Sequence, residues 1–357
     1  MEEDVDWQDK LFEELSTFVK NGKAPKWAMK NGRCALTVVS PSIETSMELL
    51  RCPRAFARAL SSPVAVVHLP SAGSDVLQAH VQKLRQASKA YSDLEMSVPA
   101  MGTMNLAWPK SAEAAGGAGK YMADIQLADE PDHRAWSREL LKLLDLPPFI
   151  NGCLNGGLLS ALSDEGARIW PVTAGVYDVT GYWLAPSKTD RVAVTGWHTE
   201  AADLRAINVR VRSTSSIEDE RSDRHPIWVF IDKSDNNFQR FSEAHLAATG
   251  QTARHDETSQ SQQLPLSVYV TAGVTFTVCQ QRLGDMIVTG PALHHCVMTP
   301  PGVMKIAVNF LTIRSLRNLR MWAARWECDV TLTQAAKVMT IAHTCNVAAL
   351  VLTHAFL

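Results

Sequence analysis

From residue 175 to residue 312 the chain falls into short runs of β-branched and aromatic residues, most of them closed by Gly, Pro, Asp or Ser, and this constrains the fold most. The runs are 176–184, 192–195, 204–212, 227–231, 266–270 with a continuation at 275–279, 285–289 and 303–312. Segments of helical spacing frame them on both sides. Many short strands between helices point to a small barrel or a two-sheet jelly roll, a mainly β fold with flanking helices.

In front of the strands, residues 5–20 fit a helix with Leu11, Leu15, Phe18 and Val19 on one side. A strand at 34–39 follows, then a helix start at Ser40-Pro41-Ser42-Ile43-Glu44 and a proline-bounded strand at 63–70. Helices are expected at 74–91, at 135–144 before Pro147-Pro148, at 237–248, and from 314 onward, where Leu316, Leu319, Trp322 and Trp326 recur. Residues 93–132, rich in Gly, Ala and Pro, read as an exposed loop. Gly116-Gly117-Ala118-Gly119-Lys120 within it lacks phosphate-loop spacing. The expected organisation is a mixed N-terminal region (1–134), a β core (135–312) and a helical C-terminal region (313–357).

Composition removes several function classes. The net charge of -2 gives no general pull toward nucleic acid or acidic membranes. Seven cysteines without a C-x-x-C pair argue against a disulfide framework and against zinc-finger spacing. The acidic, amphipathic N-terminus does not read as a secretory signal. The apolar run at 340–357 is interrupted by His343, Cys345, Asn346 and His354, so a packed helix is expected there rather than a membrane span.

Two stretches carry chemistry. In Gly196-Trp197-His198-Thr199-Glu200 a histidine and a carboxylate two residues apart share one face of an extended strand. They could bind one metal if a third ligand arrives from elsewhere. The second stretch runs from Gln281-Arg282 through Gly284-Asp285 and Pro291 to His294-His295, and closes on Ala307-Val308-Asn309-Phe310.

With Asp203-Leu204, Ile207-Asn208 and Trp228 between them, these pieces resemble the JmjC family of Fe(II) and 2-oxoglutarate oxygenases. That family shows W-H-x-E, I-N, Q-x-P-G-E/D, P-x-x-x-H and A-V-N-F in this order, and the resemblance spans about residues 140–312. The family's distal ligand stands four residues after the proline and fifteen before the phenylalanine, which selects His295 over His294.

The resemblance implies a cupin-like double-stranded β-helix in which His198, Glu200 and His295 hold Fe(II), leaving positions for 2-oxoglutarate and dioxygen. It implies oxidation of a protein substrate, with a methylated histone tail as the demethylase-type candidate, and a nuclear setting. It also implies co-substrate contacts from Thr195, Asn208, Trp228 and Tyr182. Two other readings stand beside it: a catalytically weak scaffold of the same family, and a cupin with another metal.

The chain departs from its relatives at Pro226, where most carry a lysine two residues before the aromatic that matches Trp228. Lys305, ten residues after His295 in an otherwise apolar strand, is either the replacement anchor for the co-substrate carboxylate or an edge-strand lysine facing water. Arg210 and Arg212 read as facing water. The 40–44 and 64–70 segments faintly resemble the JmjN brace of some histone demethylases.

Overall fold

The computed structural model describes residues 3–59, 62–69, 121–125, 169–171, 180–184, 192–199, 205–211, 224–233, 236–250, 264–290, 292–300 and 303–312. The helices expected at 74–91, 135–144 and beyond 313 lie outside them.

The N-terminal elements are helix α1 (Glu3–Asn21), the paired two-residue strands β1 (Met29–Lys30) and β2 (Arg33–Cys34), strand β3 (Leu36–Val38), helices α2 (Ile43–Arg51) and α3 (Pro53–Ala59), and strand β4 (Val64–His68). Ser42 caps α2, its Oγ accepting the Thr45 N–H at 2.9 Å. Pro53, which carries no N–H, opens α3 after the chain has left α2 at Cys52. Then come β5 (Tyr121–Ile125), β6 (Ile169–Pro171), β7 (Thr180–Leu184), β8 (Ala193–His198), β9 (Arg205–Val211) and β10 (Ile227–Ile231). Helices α4 (Asn237–Thr249) and α5 (Leu266–Thr271) lead to β11 (Phe276–Gln280), β12 (Asp285–Thr289), β13 (His295–Thr299) and β14 (Met304–Thr312).

Pairing identifies the architecture. β7 pairs with β14, β8 with β13, β9 with β12 and β10 with β11, every pair antiparallel. The first strand of this set pairs with the last and so on inward, so a single long ribbon folds over on itself. Its pairs alternate between a five-stranded sheet, β3-β11-β10-β13-β8, and a larger sheet, β4-β12-β9-β14-β7-β5, with β6 also beside β14. This is a double-stranded β-helix, the jelly roll expected from the strand pattern. The N-terminal β3 and β4 extend the two sheets at β11 and β12.

Every residue of β10 is buried because its two faces serve two cores. Trp228 and Phe230 point between the sheets, among Cys279, Ile287, Leu293 and Val297. Ile227, Val229 and Ile231 face outward, onto a layer that includes Phe12, Leu15, Phe241 and Tyr269 of the surrounding helices. Gly284 makes the turn into β12 at φ +81°, where a Cβ would stand 2.7 Å from the Leu69 carbonyl oxygen.

Three local expectations are corrected. Residues 266–270, read as a strand for their β-branched content, are α5: Leu266, Tyr269 and Val270 are the buried positions, and that helical spacing outweighs strand propensity. Residues 121–125, inside the expected loop, form β5 against β7. Strand β13, which begins at the distal histidine, carried too short a run of its own to stand out. Among the described residues no helix is long and apolar enough to cross a membrane.

Candidate metal centre and anion pocket

The antiparallel register of β8 and β13 sets His198 directly opposite His295, with ring centroids 4.3 Å apart. Strand alternation explains the residues on either side. Trp197 is fully buried on the outer face, 5.0 Å from the Phe241 ring and 5.7 Å from Phe276, which fastens β8 to the helical layer while His198 faces inward. The neighbouring histidines divide in the same way. His294 lies 4.4 Å from the Phe238 ring of α4, whereas His295 stacks 5.5 Å from Trp228 between the sheets.

His295 is held in one tautomer. Its Nδ1 lies 2.9 Å from the Leu293 carbonyl oxygen. A carbonyl only accepts, so Nδ1 carries the proton and Nε2 keeps its lone pair. Burial, and then the nearby His198, hold its pKa well below the usual histidine value, which keeps the ring neutral. Two juxtaposed imidazoles, one with a fixed tautomer, form a donor set that fits a divalent transition metal. Glu200, the expected third ligand, lies outside the described residues, and among those described no three His, Cys, Asp or Glu gather at one point.

Lys305 is the second element of the site, and its edge-strand reading is overturned. β14 is an interior strand between β9 and β7, and Lys305 is 3% exposed. Its Nζ donates to Thr299 Oγ1 at 3.1 Å and stands 5.4 Å above the Trp228 ring. Burial, followed by the Arg210 charge, pulls its pKa down to about 7. Trp228 therefore links the two residues, with His295 against its ring at one contact and the Lys305 ammonium over it at another.

A hydrogen-bonded frame fixes that indole. Trp228 Nε1 donates to Gln281 Oε1 at 2.9 Å, and Gln281 Nε2 reaches Asn208 Oδ1 at 3.0 Å. Asn208 is thus joined to the opposite sheet through Gln281. Arg210, read as facing water, is buried and stands opposite Lys305 in the β9–β14 register. Thr195 stands opposite Val297, and Tyr182 opposite Lys305, by backbone register. Gln281, Thr299 and Arg210 were not singled out as site residues beforehand. Gln281 was visible as a matching motif position, Arg210 only as a strand residue paired with Arg212 and read as facing water, and Thr299 not at all.

The chain is thus a double-stranded β-helix with two histidines set opposite each other on β8 and β13 and a buried lysine on β14 of the facing sheet. The family model described as JmjC domain, hydroxylase matches residues 190–310. Those residues, about a third of the chain, are similar to the JmjC domain, a family whose hydroxylases are in general Fe(II)- and 2-oxoglutarate-dependent. No curated protein matches the chain.

Proposed function

We propose that this chain is an Fe(II)- and 2-oxoglutarate-dependent protein oxygenase with its co-substrate anchor on β14. The observation that carries the reading is the buried Lys305 on the same indole that stacks on His295. His198, His295 and Glu200 would hold the iron, which with dioxygen and 2-oxoglutarate supplies the oxidising power to hydroxylate a C–H bond as the keto acid is decarboxylated to succinate.

The chain's own groups do the positioning. The Leu293 carbonyl holds the His295 ring in its binding tautomer. Lys305 would receive the distal carboxylate, with the Thr299 hydroxyl beside it, which supplies the cation missing at Pro226. Trp228, locked by Gln281, keeps water from the space between iron and anchor. This arrangement disfavours a scaffold that has lost its co-substrate.

For the substrate we propose a protein side chain, with N-methyl-lysine of a histone tail in the nucleus as the demethylase form, in which the hydroxylated carbon leaves as formaldehyde. Its support is the resemblance of Trp197-His198-Thr199-Glu200, Ile207-Asn208 and Ala307-Val308-Asn309-Phe310 to that branch. The test is an anaerobic titration of 2-oxoglutarate into Fe(II)-loaded protein. A metal-to-keto-acid charge-transfer band is expected, lost in Lys305→Ala, and no band in the wild type would sink the oxygenase reading. Mass spectrometry of methylated histone peptides and intact proteins then separates loss of a methylene from gain of an oxygen.

A further inference from the structure

From Lys20 to Ile43 the sequence holds five cations, Lys20, Lys23, Lys26, Lys30 and Arg33, and no carboxylate, whereas residues 2–14 carry seven carboxylates and one lysine. All five cations are exposed. The net charge of -2 thus conceals a local positive surface beside an acidic helix.

The fold gathers this charge. β1 and β2 form a hairpin whose central residues, Asn31 and Gly32, stand at φ 50° and 74°, the left-handed pair of a tight two-residue turn. Lys30 and Arg33 flank the turn directly opposite each other and so share one face of the ribbon. Lys30 Nζ donates to the Thr271 carbonyl oxygen at 2.7 Å, and Arg240 Nη1 of α4 donates to the Gly273 carbonyl oxygen at 3.4 Å, so both side chains converge on the end of α5. Lys26 opens a short 3-10 helix, Lys26–Ala28, that also packs against α5. The one carboxylate of α4, Glu243, accepts from Gln239 at 2.8 Å.

Shape and chemistry select the partner. Every residue from Met29 to Cys34 is exposed, so the ribbon projects from the surface instead of lining a cleft that would take an acidic peptide. A projecting two-stranded ribbon fits the groove of a duplex. Met29, 47% exposed, pairs with Cys34 on the ribbon's other face, and the Trp27 indole is turned to α1, where Nε1 donates to Glu14 at 2.6 Å. The face that carries Lys30 and Arg33 therefore lacks the apolar side chains that seat a basic surface in lipid. Lysines on flexible stems meet phosphates as point charges and read no base edges.

We propose that the β1–β2 ribbon, with Lys26, Lys30, Arg33 and Arg240, is a docking surface for the phosphodiester backbone of a duplex nucleic acid, bound without regard to sequence. None of these residues belongs to the metal centre, so the surface is separate from the oxygenase reading.

Fluorescence polarisation of the full-length protein with short labelled DNA and RNA duplexes of mixed sequence, across a range of salt concentrations, tests this. Four phosphate contacts predict a slope of log K against log salt of about -3.6, and Lys26→Gln or Arg33→Gln should each reduce its magnitude by about 0.9. The triple variant Lys26→Glu, Lys30→Glu, Arg33→Glu should weaken binding by more than about tenfold while Mn(II) binding is unchanged. Lys10→Gln, on the acidic helix, should bind as wild type does. No binding at low salt, an equal loss in Lys10→Gln, or a slope that the ribbon variants leave unaltered would overturn the proposal. Vesicles containing phosphatidylserine are the competing probe: binding to them with none to either duplex would also overturn it. The triple variant loses the Lys30 bond to Thr271; if this destabilises it, Lys26→Gln combined with Arg33→Gln leaves that bond in place and gives the same comparison.

Discussion

Replacing Lys305 by methionine should stabilise the apo protein at neutral pH while removing its co-substrate affinity. Methionine has nearly the length of the lysine stem and no charge to desolvate. The ammonium pKa falls from 10.5 to about 7 in the fold. At about 1.36 kcal/mol per pH unit, this is a penalty of ~5 kcal/mol on the fully charged form and ~4 kcal/mol at pH 7. Against it stand the bond to Thr299 and the contact with the Trp228 ring, about 1 kcal/mol each. The net expectation is a gain of ~2 kcal/mol at pH 7.

The sign changes with pH. Between about 7 and 10.5 the unfolded chain binds more protons than the folded one, so wild-type stability rises with pH through that window. In Lys305→Met this contribution is absent, and every other titration cancels in the difference. The two stability curves should therefore cross, with the variant ahead at pH 7 and level or behind near pH 10. Urea denaturation of both proteins across that range measures it. A variant less stable at pH 7, with a difference independent of pH, would refute the picture of a buried ammonium strained in the apo pocket. The result would also show a stability cost retained for function.

Three further outcomes follow from the same geometry. 2-Oxoglutarate affinity should fall as pH rises above about 7, by up to about tenfold per unit, since the free pocket then holds a neutral amine, and calorimetry across pH should find this slope flattened in Lys305→Arg. Gln281→Leu removes the acceptor of the Trp228 N–H and the donor to Asn208, so thermal denaturation should show a loss of about 2 kcal/mol and the charge-transfer titration a weaker complex. Gly284→Ala forces a Cβ to within 2.7 Å of the Leu69 carbonyl oxygen at positive φ, and should lower stability by more than ~1 kcal/mol without changing the metal-binding stoichiometry.

Much of the site could be read in the sequence because strand periodicity is local. Trp197 and His198 must lie on opposite faces of β8, and His294 and His295 part in the same way at the start of β13. Counting from Pro291 and Phe310, as the JmjC resemblance implies, points to His295, the histidine that stacks on Trp228 between the sheets. The runs that became β7 to β12 and β14 were also visible, since a half-buried or doubly buried strand advertises itself in its own residues. The strand signal failed at 266–270, where burial at helical spacing against the outer core decided for α5.

The tertiary structure alone decided what Lys305 and Arg210 are. A lysine between Met304 and Ile306 has the same local pattern on an edge strand as on an interior one. Its environment depends on β9 and β7, which are far away in the chain and arrive only when the ribbon closes into two sheets. That closure sets Arg210 opposite Lys305, brings Thr299 under the ammonium and lays Trp228 from His295 to Lys305. Side-chain alternation determines which way a residue points; what it meets there is determined by non-local pairing, which no short-range pattern encodes.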